Sequence, residues 1–103
     1  MTAKEIRNDL YDIRYYHTHR GMFNKPGMSL VKSTVEEKAE RYEKIVKDGG
    51  AMSYALYTEL YVEGNTQKRT AEKWQVKEGY VKYMNRKLIS YLEKEINAGG
   101  QKQ

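Results

Sequence analysis

Residues 66–88 read TQKRTAEKWQVKEGYVKYMNRKL. Apolar residues recur here at helical spacing, among seven bases: Lys68, Arg69, Lys73, Lys77, Lys82, Arg86 and Lys87. Only two acids, Glu72 and Glu78, accompany them, so the segment carries the whole formal net charge of +5. The remaining residues hold twelve bases and twelve acids. A basic segment on a neutral body is the pattern of a protein that docks a polyanion with one face.

Thr66 is suited to cap a short helix over 67–74, Gln75-Val76-Lys77 to make a tight turn, and a longer helix is expected over 78–97. Short helix, turn and long helix form a helix-turn-helix pattern. Two closely crossing helices need a small residue at the crossing, and Ala71 stands there. Val76 is expected to point from the turn into the core, and Val81 to lock the crossing one turn into the second helix. Trp74, Met84 and Leu88 complete the motif core. With that stripe inward, Lys77, Glu78, Lys82, Tyr83 and Arg86 face outward, where a recognition helix meets base edges in the major groove. Lys82 and Arg86 are expected to donate to guanine edges, and Tyr83 to pack on a thymine methyl or a phosphate. Thr66, Gln67, Lys68 and Arg69 open the first helix, where main-chain amides lack helical partners and suit phosphates; Lys73 and Lys87 join this phosphate set.

The stretch LYVEGNTQKRTAEKWQVKEGYVKYMNRKLISYL resembles region four of bacterial sigma factors. It looks more like the small phage regulators built on that module, the ArpU/RinA group of late-transcription activators. The residues that carry the resemblance are Tyr61-Val62-Glu63-Gly64, Thr66, Ala71-Glu72, Val76, Gly79-Tyr80-Val81 and Arg86-Lys87-Leu88. It covers about residues 55–92. The resemblance implies sequence-specific duplex DNA binding at a promoter, with RNA polymerase as a further partner and a bacterial host cytoplasm as the compartment. This chain departs from the family pattern at Gln75, where Gly is usual, at Lys77 in place of a Ser or Thr cap, and at Thr70 in place of Ile or Val. Gly79 weakens the second helix by roughly 1 kcal/mol relative to Ala.

Outward from this segment the expectation is all-α, about five helices with the helix-turn-helix last. Residues 1–50 form an N-terminal helical segment for core or oligomerisation, 51–97 the DNA-binding region, and 98–103 a flexible tail after Gly99-Gly100, all in one compact domain of 103 residues. Ile6, Leu10, Ile13 and His17 make one stripe of a helix over 3–19. RGMFNKPGMS reads as a loop. A helix over 34–48 starts at Ser33 or Thr34, each with a Glu three residues on, as in a capping box. It carries Val35, Ala39, Tyr42, Ile45 and Val46 inward and ends at Gly49-Gly50. A helix over 51–62 places Tyr54, Tyr57 and Tyr61 in core and rim packing. Tyr11, Tyr15, Tyr16, Met22 and Phe23 give more apolar surface near 11–23 than one stripe needs, which points to a homodimer through the N-terminal helices.

Other chemistry finds little support. The chain has no Cys, so disulfides and thiolate metal sites are excluded. No apolar run approaches ~18 residues, and MTAKEIRNDL lacks the apolar centre of a signal peptide. His17 and His19 lie about 200° apart on a helix and cannot share one metal ion; their expected role, with Arg20, is to suit the helix dipole. No Gly-rich phosphate loop or nucleophile–base pair marks an enzyme, and no cofactor is implied. Two alternatives to the regulator remain. One is a small terminase-like DNA-recognition subunit on an oligomeric ring. The other is an interaction module whose basic face meets an acidic protein, such as RNA polymerase. Light scattering tests the ring, and burial of Lys82, Tyr83 and Arg86 would favour the module.

Overall fold

The computed structural model describes residues 1–101, and over them the chain is all-α. Helix α1, Ala3–Thr18, begins at a capping box: Thr2 Oγ1 accepts from Glu5 N, and Glu5 Oε1 accepts from Thr2 N. The T-x-x-E spacing is visible in the sequence. Its stripe of Ile6, Leu10 and Ile13 is fully buried, whereas His17 is only half-buried. A single helical turn, α2 (Arg20–Phe23), interrupts the expected loop and buries Phe23.

Helix α3 spans Ser29–Asp48 and starts well before the expected 34. Ser33 and Thr34 are therefore interior residues, and Thr34 Oγ1 donates back to Leu30 O at 3.0 Å instead of capping. The extra turn leaves Leu30 79% exposed. Ala39, Tyr42 and Val46 are buried, with Val35 and Ile45 half-buried beside them. Tyr42 donates to Asp9 Oδ2 at 2.6 Å, and Lys38 Nζ bridges Asp9 and Asp12 at 3.0 and 3.3 Å, so α1 and α3 are joined by a polar seam as well as apolar packing. Burial, reinforced by Asp9, raises the Tyr42 phenol above its ordinary 10.0 and keeps it a donor.

Gly49 ends α3, and Gly50, at φ +106, turns the chain into α4 (Ala51–Tyr57). The helix then widens into a π segment, Thr58–Val62, closed by Glu63 N to Thr58 O at 2.8 Å. Such widening inserts a residue and changes which side chains face which neighbour. Leu60 enters the core, while Tyr61 donates to Asn85 Oδ1 of the last helix at 2.6 Å. Helices α5 (Gln67–Trp74) and α6 (Glu78–Gln101) follow. The expected stop at Gly99-Gly100 does not occur, since both lie within α6; Lys102 and Gln103, the end of the expected tail, are outside the described residues. Gly lowers helix propensity without forbidding the conformation.

One cluster unites both expected segments. Ile6, Leu10, Ile13, Tyr42 and Val46 pack with Leu56, Tyr57, Leu60, Ala71, Val81, Leu88, Ile89, Leu92 and Ile96. Tyr54 and Tyr61 border it and Tyr57 lies inside, as core and rim packing requires.

Candidate nucleic-acid interface

Thr66 caps α5: its Oγ1 accepts from Arg69 N at 3.0 Å, and its carbonyl accepts from Thr70 N. Thr70 is 0% exposed. Its hydroxyl donates to Thr66 O at 2.9 Å, so a polar side chain is buried without losing a hydrogen bond. Ala71 beside it is buried, and α5 lies chiefly against α6.

The turn departs from expectation in one respect. Gln75 is left-handed at φ 58, the only non-glycine residue with positive φ among those described. Its N–H reaches Glu72 O at 3.3 Å, and Val76 N reaches Ala71 O at 3.0 Å. This pair of bonds is a Schellman closure, which satisfies the last carbonyls of α5. Val76 thus serves through its amide. Its side chain, expected in the core, is 37% exposed. The remaining motif-core residues face inward: Val81 and Leu88 are buried, and Trp74 and Met84 are half-buried against the cluster. Lys77 precedes α6 and its carbonyl accepts from Tyr80 N at 3.0 Å; an ammonium has no acceptor with which to cap the free amides.

With Val81, Leu88, Leu92 and Ile96 inward, the opposite face of α6 is open. Lys77, Glu78, Lys82, Tyr83, Arg86 and Lys87 are all exposed. Tyr83, 48% exposed, has Lys87 Nζ 5.4 Å from its ring centroid, a cation–π distance. Lys82 Nζ and Glu78 Oε2 are 3.5 Å apart, a solvated pair one helical turn long.

Of the expected phosphate set, Thr66, Lys68, Arg69, Lys73 and Lys87 are exposed and Gln67 is half-buried. Lys73 stands apart, because its Nζ is 2.7 Å from Glu59 Oε1 of the π segment. Asn65 Nδ2 holds the other oxygen at 2.7 Å. The lysine contact outweighs partial burial and lowers the Glu59 pKa below its ordinary 4.5. Nothing in the sequence marks this pair, because the π segment sets the direction of Glu59. Sequence reasoning also missed Arg14, which joins Lys68 in lining a cleft although the two are far apart in the chain. No local pattern announces so distant a neighbour.

At the far end of α1, His17 stands in the last turn, where a positive charge would suit the helix dipole. Burial first, and then Arg20, lower its pKa below 6.5 and favour the neutral ring, although Glu43 opposes them. His19 stacks on Tyr15 with centroids 4.1 Å apart. Nearby, Tyr11, Tyr15, Phe23, Val31 and Val35 line an apolar groove with Asp12 at its rim. Tyr11 and Met22 are exposed there, whereas Tyr16 and Phe23 are spent in packing.

No family model matches the chain, and neither the curated proteins nor the solved structures give a match. No helix among the described residues is long and apolar enough to cross a membrane.

Proposed function

We propose that this protein is a sequence-specific duplex-DNA-binding transcription regulator, with α5–turn–α6 as its helix-turn-helix and the outer face of α6 in the major groove. One observation carries the reading. Of the residues assigned to base edges from spacing alone, Glu78, Lys82, Tyr83 and Arg86 are exposed on a helix whose Val81, Leu88, Leu92 and Ile96 are buried in the core, and Lys77 is exposed just before it. Rigid anchoring of a polar face is what base readout needs. The resemblance to phage late-gene activators names the class of regulator. It also suggests RNA polymerase as a further partner.

Burial of Lys82, Tyr83 and Arg86 would have favoured the interaction-module alternative; they are exposed, so it gains no support from them. The groove beside α1 supports a second copy of the chain as a partner. Leu30, exposed and next in the chain to Val31 of the groove, is the side chain that would enter the groove of a second copy in a two-fold pair. Selection of bound duplexes from a random pool tests the function. Enrichment of one motif is expected, with inverted half-sites if two copies bind. Recovery of unselected sequence, or of none, at moderate salt contradicts it.

A further inference from the structure

The first helix has so far served only the core and the apolar groove. One edge of it carries Arg7 and Arg14, and Arg14 lies beside the first residues of α5 and α6. Arg7 and Arg14 are two turns apart, so they share a stripe of α1. Arg14 lines a cleft of about 360 Å³ together with Tyr61, Thr66, Gln67, Lys68 and Glu78. The cleft therefore opens between α1, the end of the π segment and the first residues of α5 and α6.

Arg14 is held in place there. Its Nη2 donates to Gly64 O at 3.0 Å. Gly64 has φ +75, and a Cβ on it would come within 2.5 Å of Thr18 Cγ2, so α1 sits tightly against the loop that leads into α5. A guanidinium has five N–H donors, and this contact uses one. Tyr61 connects the same stripe to α6, because its hydroxyl donates to Asn85, next to Arg86 in the chain. The charges of both Arg7 and Arg14 are felt at that phenol, where they oppose the effect of its burial. Glu78 is the acid lining the cleft, and its carboxylate faces Lys82.

We infer that Arg7 and Arg14 form a second phosphodiester-binding edge, so that a duplex seated on α6 has one backbone strand gripped by α1 as well as by Lys68. This inference rests on the duplex reading of α5–α6 and adds to it a partner surface outside the basic segment. The chemistry favours a phosphodiester. A planar fork fixed at one N–H and lining an open cleft presents paired donors to anionic oxygens. Such contacts position the duplex without reading its sequence.

The test is duplex binding by the full chain, followed by fluorescence anisotropy across a salt series. Arg7→Gln and Arg14→Gln should each weaken every duplex alike, roughly three- to tenfold at 0.1 M salt, and lower the log–log salt slope by about 0.9. Arg7 is exposed, so its variant decides the matter if Arg14→Gln melts below the parent. An unchanged slope in Arg7→Gln, while Lys68→Gln lowers it, overturns the α1 edge and leaves the α5–α6 reading standing. Absence of duplex binding in the parent overturns both. Inorganic phosphate is the second arm: if it stabilises the parent through Arg14 while the duplex slopes stay equal, the cleft binds free anions and the duplex edge is wrong.

Discussion

Gln75 holds the left-handed conformation that makes the turn, at a cost of about 1–2 kcal/mol for a residue with a β-carbon. Gln75→Gly should raise stability by about 0.5–1 kcal/mol, part of the relief being lost to the greater freedom of glycine in the unfolded chain. Gln75→Val should lower it by more than 1 kcal/mol. Urea unfolding checks both, and a destabilised Gly variant would show that the turn is not strained. Tyr57 makes a second case. Its ring is 1% exposed, and its hydroxyl is buried with no hydrogen-bond partner. Burial raises that phenol's pKa well above the ordinary 10.0, so it stays protonated. Tyr57→Phe should stabilise the fold by about 1 kcal/mol, whereas Tyr42→Phe, which removes a bond to Asp9, should destabilise it by a similar amount. Equal effects of the two changes would show that Tyr57 does have a partner in solution.

Among the elements, the helices that bury a regular stripe were legible, because periodicity reports burial directly: α1 through Ile6, Leu10 and Ile13, and α6 through Val81, Leu88, Leu92 and Ile96. The outward face of α6 followed by exclusion. What sequence reasoning missed depends on contacts between elements. A capping pattern at Ser33–Glu36 and Thr34–Glu37 lies inside α3 because nothing local distinguishes it from a true start. The motif's spacing points to Val76 as a core residue, yet what the turn requires there is its amide. The π segment has no local signature, and with it the Glu59–Lys73 pair was missed. That pair makes Lys73 a structural residue. Lys73→Met should cost about 1 kcal/mol of stability and change duplex affinity less than Lys68→Met does. Glu59 has its pKa lowered by folding, so its contribution is complete above pH 4.5 and fades as pH falls through the folded value. Lys73→Met should therefore lose less stability than the parent does on acidification below that pH. A parallel acid limb, in chemical unfolding followed from pH 6 to 3, would contradict the pairing.

At the scale of the whole molecule, one core carries a basic face at α5–α6 and an apolar groove at α1–α3. The groove predicts association. Light scattering should give twice the 12.1 kDa chain mass for the parent and the single mass for Leu30→Glu. That change is mild for the fold, because an acid suits the first turn of α3. A parent at the single mass contradicts the paired form, and a ring-sized mass would restore the terminase-like alternative. The basic face carries the central claim, and one experiment reaches it most directly: the affinity of parent, Arg86→Ala and Lys68→Ala for the selected duplex and for a scrambled one, across salt. Arg86→Ala should lose about 1–3 kcal/mol on the selected duplex and little on the scrambled one. Lys68→Ala should weaken both equally, with a salt slope lower by about 0.9. Equal losses from the two substitutions on both duplexes, or none from either, would contradict base readout by α6.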